Sequence, residues 1–199
     1  MPENPLAPLA DIVLETIWLL LPLLGGALVH GLCMKYGWLG FLARPIDGGR
    51  TFRGRPIFGH SKTWRGPVAV AIGASAVFEL QRRVLADLEG LSGLAPAGFA
   101  SLPLWFGAAL GAAAELSELP NSFVKRQLGI APGATAKGPL SLLFYLWDQL
   151  DLLLGYWLVL AAAIPPTPAH VAASLVVVAA IHPLSTLTGY LLGMRPTAR

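Results

Sequence analysis

Asp148 and Asp151, three residues apart inside the apolar run Phe144-Tyr-Leu-Trp-Asp-Gln-Leu-Asp-Leu152, are the residues whose type and spacing most demand a chemical role. In a helix, an i, i+3 spacing puts both carboxylates on one face. Thirteen residues, Leu152 to Ile164, separate Asp151 from Pro165, a rise of about 20 Å. Against a hydrocarbon core of about 30 Å, that leaves the acids roughly 10 Å below one membrane surface. Unpaired carboxylates at that depth are costly, so they must face a polar cavity and hold a cation or a basic partner. A structural ion pair to Lys125 or Arg126 would satisfy one acid. Two acids on one face favour a metal site, because Mg²⁺ takes one or two carboxylates and completes its shell with phosphate oxygens and water.

Two basic stretches could supply the phosphate side of such a site. In Glu118-Leu-Pro-Asn-Ser-Phe-Val-Lys-Arg-Gln-Leu-Gly-Ile-Ala-Pro-Gly133, Ser122 after Pro120-Asn121 reads as a helix N-cap. Lys125 and Arg126 then fall in the first turns, and Gly129 with Pro132-Gly133 ends the helix. A helix start beside Lys and Arg binds phosphate, although the same pair also serves as plain attachment to anionic headgroups. The second stretch, Asp47 to Gly66, holds five glycines together with Arg50, Arg53, Arg55, Lys62 and Arg65, and Arg44 just precedes it. Glycines let a backbone close on phosphates. A basic loop resting on anionic lipid explains the charge, but not the glycines or the run Lys62-Thr63-Trp64-Arg65-Gly66. This is no Walker A loop, since Pro56 and Ser61 stand where glycines are required and no parallel-sheet unit surrounds it. Of the histidines, His30 and His182 lie in apolar runs and His170 at a helix start, and only His60 neighbours a candidate site.

The elements that must position these groups are membrane-spanning. The 199 residues are 55 % hydrophobic and only 13 % charged, with a mean hydropathy of +0.63. A soluble domain carries charge on about a quarter of its residues. Five segments are long enough to span: about 12–34, 67–84, 100–116, 140–164 and 170–194, the last with Pro183 as a kink. Small residues at Gly107 and Gly111 fit close helix contact in lipid. Loops 35–66 and 117–139 with the C-terminus carry twelve of the fourteen Lys and Arg residues, leaving Arg82 and Arg83 on the other side. The positive-inside rule then places the N-terminus outside and both loops, with the site, facing the cytoplasm. The expectation is an all-α polytopic protein of the inner (plasma) membrane, one domain over 1–199, with two functional cytoplasmic loops. Residues 1–11 contain Glu3 and Asp11 but no Lys or Arg, unlike a signal peptide. A lone Cys33 excludes a disulfide framework or Cys-based zinc site. A net charge of +3 gives no reason to expect a nucleic-acid partner.

Three motifs in fixed order resemble the CDP-archaeol synthase family. They are Gly59-x-x-Lys62-Thr63-Trp64-Arg65-Gly66, Asn121-Ser122-Phe123-Val124-Lys125-Arg126-x-Leu-Gly129-Ile-x-Pro-Gly133, and Asp148-Gln149-Leu150-Asp151. His182-Pro183 through Tyr190-Leu-Leu-Gly193 is similar to that family's last helix, so the likeness covers essentially the whole chain. The Ser-x-x-Lys-Arg and Asp-x-x-Asp elements are also similar to the phosphatidate cytidylyltransferase signature. The chain departs from the family pattern in reading Gly59-His60-Ser61-Lys62 for Gly-Asp-Gly-Lys, and Glu118 for Asp. The resemblance implies a five-helix membrane enzyme that transfers a cytidylyl group from CTP to a lipid phosphate, releasing pyrophosphate. It implies catalytic roles for Asp148, Asp151 and Lys125, and Mg²⁺ held by Asp148, Asp151 and Glu118. It implies substrate binding by Lys62, Thr63, Arg65, Asn121, Ser122 and Arg126. CTP, a lipid phosphate and membrane lipids are the implied partners, and the sequence leaves a homodimer open. A small transporter using the two acids as an ion relay is a rival, opposed by the lack of matching halves with broken helices. A lipid-binding scaffold is another. The Asp-Gly-x-x-Ala-Arg motif of CDP-alcohol phosphotransferases is missing.

Overall fold

A computed structural model describes residues 7–87, 94–132, 134 and 138–191. It is mainly helical: α1 Ala7–Tyr36, α2 Arg65–Asp87, α3 Trp105–Leu116, α4 Glu118–Gln127, α5 Leu140–Ala161 and α6 Pro168–Leu191. Between α1 and α2 lies a small hairpin, β1 Thr51–Phe52 and β2 Arg55–Pro56, paired Thr51↔Pro56 and Phe52↔Arg55. Its turn residues Arg53 and Gly54 both have positive φ, 52° and 77°, the geometry that matches strand twist in a two-residue hairpin.

Local chemistry sets the helix ends. Thr167 caps α6 by accepting the His170 N–H on Oγ1 at 3.3 Å, and Pro168 opens the first turn, where its missing N–H is not needed. Pro165 and Pro166 follow the end of α5 and prevent its continuation. Gly129, at φ 79°, closes α4 as its N–H bonds the Arg126 carbonyl and the Ile130 N–H bonds that of Lys125.

The helices pack through glycines. A Cβ on Gly73 of α2 would lie 2.3 Å from the Gly25 carbonyl oxygen of α1, so these two backbones touch. Gly107 and Gly111 of α3 meet α2 in the same way, with virtual Cβ atoms 2.9 Å from Ser75 Cα and 2.6 Å from the Val70 oxygen. Gly155 does so for α5 against α3. The core between them is Leu19, Leu20, Phe78, Phe99, Phe106, Leu110, Leu153, Tyr156 and Leu160, with the Phe78 ring tilted against those of Phe99 and Phe106 at 5.0 and 5.9 Å between centroids. Interhelical hydrogen bonds satisfy the polar atoms of two buried aromatics. The Tyr156 hydroxyl donates to the Leu19 carbonyl, and Trp157 Nε1 donates to Ser174 Oγ at 3.0 Å.

The outside is apolar. Leu142, Leu146, Leu150, Leu154 and Leu158 form a row down α5, all exposed. An uninterrupted leucine face of this kind is unfavourable in water and ordinary in lipid. Among the described residues two helices, Leu9–Tyr36 and Leu140–Ala161, are long and apolar enough to cross a membrane by length and composition. As far as the described residues reach, a helix lies in each of the five intervals expected to span, but α3 is shorter than expected. At 12 residues it rises about 18 Å, because Pro103 delays its start and the chain turns at Ser117. The basic ends Lys137, Arg195 and Arg199 lie outside the described residues, as does Gly193, and α6 runs through Pro183 to Leu191.

Candidate active site

The site gathers where α4 leans on the middle of α5. Ser117 makes that junction: its Oγ lies 2.7 Å from the Ala114 carbonyl and also within hydrogen-bonding reach of the Asp151 carbonyl. This ties the turn between α3 and α4 to the backbone of the acidic helix. Sequence reasoning passed over Ser117 and placed the cap of α4 at Ser122. The helix instead begins at Glu118, with Ser117 at the cap position and Pro120 inside its first turn, where proline is tolerated. Ser122 is buried mid-helix, and Lys125 with Arg126 stand in the last turn rather than the first. No phosphate-binding helix start therefore forms at Ser122.

Asn121 is the centre of the group. It is 2 % exposed, and its Nδ2 donates to Asp148 Oδ1 at 2.6 Å and to Asp151 Oδ2 at 2.8 Å. One amide bridging both carboxylates shows that the i, i+3 pair does share a face. Lys125 Nζ bonds the same Asp148 oxygen and sits 5.4 Å from the Phe144 ring. Asp151 also accepts the Leu152 N–H at 2.8 Å. Asn121 Oδ1 is buried and has no partner among the described residues. Two carboxylates on one face offer the oxygen donors that a hard divalent cation takes.

Lys62 comes from the first loop and bonds the Glu118 carboxylate at the start of α4. Burial pushes the Lys62 ammonium below its ordinary pKa, while the nearby charges of Glu115, Asp151 and Asp148 pull it up without prevailing. Glu118 is therefore engaged by a lysine rather than by the acid pair. Among the described residues no three His, Cys, Asp or Glu side chains stand close enough together to hold a metal.

The remaining expected residues have other surroundings. The buried Arg126 guanidinium donates from Nε to the Phe58 carbonyl at 3.1 Å and from Nη1 to the Ile130 carbonyl. Burial lowers its pKa. Arg65 turns to the Met34 sulfur at the end of α1. Thr63 is held through its backbone, in a bridge to Pro45. The loop bearing Lys62 folds against α4: Phe52 packs on Phe123, Arg55 donates to the Gln127 carbonyl, and Gln127 Nε2 donates to that of Pro56. Asp47, which sequence reasoning left without a role, organises this loop. It accepts the Gly49 N–H on Oδ1 at 2.9 Å and the Phe58 and Gly59 N–H groups on Oδ2 at 2.8 and 3.0 Å. Its burial raises the pKa, but these backbone bonds outweigh that and hold the carboxyl below its ordinary value. The only sequence signal for it was the turn-forming Asp47-Gly48-Gly49.

The CarS-like family model, described as CDP-archaeol synthase, matches residues 9–198. A CDP-archaeol synthase of Archaeoglobus fulgidus is 34 % identical over 192 residues, covering 86 % of this chain and 89 % of that protein. One from Halobacterium salinarum strain R1 is also 34 % identical, covering 76 % and 81 %. A solved structure described as an intramembrane enzyme for archaeal membrane lipids biosynthesis superposes with a TM-score of 0.61 at 28 % identity, covering 88 % of this chain and 94 % of its own. With that match along nearly its whole length, the chain belongs to the CarS-like CDP-archaeol synthase family of CTP-dependent cytidylyltransferases.

Proposed function

We propose that this enzyme moves the cytidylyl group of CTP onto the phosphate of a membrane lipid, giving a CDP-lipid and pyrophosphate. The observation that carries the reading is the amide of Asn121 joining Asp148 and Asp151, with Lys125 of the same helix on Asp148 and Lys62 of the first loop on Glu118 at that helix's start. A lipid phosphate oxygen attacks the α-phosphorus of CTP, the bond to the β-phosphate breaks, and no covalent enzyme intermediate is needed. Such a reaction asks the protein for alignment and charge neutralisation. Lys62 and Lys125 can leave their carboxylates for phosphate oxygens, and Asn121 keeps the two acids in register. Mg²⁺ would be held by Asp148 and Asp151, and when bound it would supply charge neutralisation at the triphosphate. Glu118 serves Lys62 in this arrangement. Five spans, with the N-terminus outside and the site facing the cytoplasm, fit the charge asymmetry of the loops.

The test is CTP labelled at the α-phosphate, supplied with Mg²⁺ and a panel of lipid phosphates. The relatives' name makes archaeol phosphate the first to try. Label in an organic-extractable product supports the reading, and its absence with every lipid overturns it.

The lowered pKa of Lys62 has a kinetic consequence. Phosphate binding needs the ammonium, which is present below the folded pKa and lost as pH rises through it. The alkaline limb of kcat/KM for CTP, which reports the free enzyme, should therefore fall below pH 10.5, the ordinary lysine value. Lys62→Arg should move that limb upward. A pH–rate profile identical for the two proteins would remove Lys62 from CTP binding.

A further inference from the structure

We infer that Asp47 is a positioning residue for the nucleotide, acting through the loop peptides that set Lys62. The inference rests on the cytidylyltransferase reading and gives a role to a carboxylate outside the acid pair. Asp47 is 8 % exposed, and its two oxygens take three backbone N–H groups, two of them from the consecutive residues Phe58 and Gly59. Those two residues lead in two directions. The Phe58 carbonyl, on the far side of the peptide unit whose N–H Asp47 holds, accepts Arg126 Nε. This joins the first loop to α4. The Gly59 carbonyl accepts the Lys62 N–H at 3.2 Å, closing the turn that presents Lys62 to Glu118.

Gly59 adopts φ 90°, and a Cβ there would stand 2.9 Å from the Pro132 ring. The turn therefore has no slack on the α4 side. Its other strand is held as well: the Ile46 N–H bonds the Lys62 carbonyl at 2.9 Å, and Pro45 bridges Thr63. With Asp47 ionised and in place, the backbone on both sides of Lys62 is fixed. Without it, two adjacent N–H groups lose their acceptor, and the link from the Lys62 turn to Arg126 loosens at Phe58. Asp47 touches neither the acid pair nor any group expected to meet the reacting atoms, so its effect passes through Lys62.

A double-mutant cycle separates this from a general contribution to folding. Asp47→Asn, Lys62→Met and the pair are assayed for CTP turnover, with CTP binding followed by calorimetry and folding by thermal melting in detergent. Asp47→Asn alone should raise KM for CTP about tenfold, the scale of a coupled contact, with kcat within about threefold. In the Lys62→Met background the same substitution should change KM less than about threefold, because the lysine it positions is gone. An unchanged KM in the single variant, or a full penalty in both backgrounds, overturns the inference while wild-type turnover leaves the cytidylyltransferase reading intact. If Asp47→Asn does not fold, Asp47→Ser keeps one acceptor and carries the same expectation. Loss of the fold in both makes Asp47 a folding residue and overturns the positioning role. Wild-type protein that neither binds nor turns over CTP removes the underlying reading and this inference with it.

Discussion

Replacing Asp148 with Asn should lower kcat by at least about a hundredfold, roughly 2.7 kcal/mol of barrier, in a protein that remains folded. The Asp148 side chain is 46 % exposed within the site, so it is not part of the packed core, and Asn is close to it in shape. Its Oδ1 can still accept from Asn121 Nδ2, which preserves the bridge to α5. What the substitution removes is charge. Lys125 loses its carboxylate partner, and the donor set for a divalent cation falls from two carboxylates to one. A single carboxylate still binds Mg²⁺, but weakly and without fixing where the triphosphate lies. The measurement is Mg²⁺-dependent incorporation of CTP label, paired with a thermal melt. Near-normal turnover would remove Asp148 from metal binding. Asp151 is the poorer probe, because it is buried and accepts a backbone N–H of its own helix.

Gly155→Ala should cost more in structure than its one methyl suggests. The added Cβ would stand 2.2 Å from the Ala113 carbonyl oxygen, 2.5 Å from Ser117 Oγ and 2.7 Å from Ser117 Cβ. The first of these is backbone in the last turn of α3 and cannot rotate away. Overpacking of this kind costs about 1–3 kcal/mol, and it is relieved only if α5 shifts off α3. That shift breaks the contact between Ser117 and the Asp151 carbonyl, which sets the height of the acids beside Asn121. Melting temperature and turnover should therefore fall together, turnover by about tenfold or more, since sub-ångström misplacement is costly in a preorganised site. Gly40→Ala, where an added Cβ meets nothing within 4 Å, is the control expected to change neither. A Gly155→Ala protein that melts and turns over like wild type would show that α3 and α5 are not in contact there.

The readable parts of this site were those encoded by residue type and local period. Asp148 and Asp151 face one way because three residues nearly complete a helical turn, and no tertiary information is needed to see it. Gly107 and Gly111 repeat at four residues, which marks a close helix contact without naming the partner. The cap of α4 was misplaced because Asn121-Ser122 carries good capping side chains. The junction with α3 instead draws the helix start back to Ser117, and Asn121 is left to bridge the two acids of α5. The hairpin at 51–56 has two-residue strands, too short for any alternation, and it is defined by docking on Phe123 and Gln127 far along the chain. Arg126 could not be told from Lys125 by sequence: the two are adjacent, but about 100° apart on the helix. One faces Asp148 and the other the first loop.

The partners of the acid pair also come in a telling order along the chain. Asn121 and Lys125 both precede Asp148. During synthesis from the N-terminus, that amide and that ammonium group are already made when the acidic helix leaves the ribosome. Placing two carboxylates in hydrocarbon is expensive only while they lack counter-charges, so α5 can enter the bilayer against a neutralising surface that is already there. A circularly permuted chain that emits α5 first would ask the insertion machinery to place bare acids in lipid.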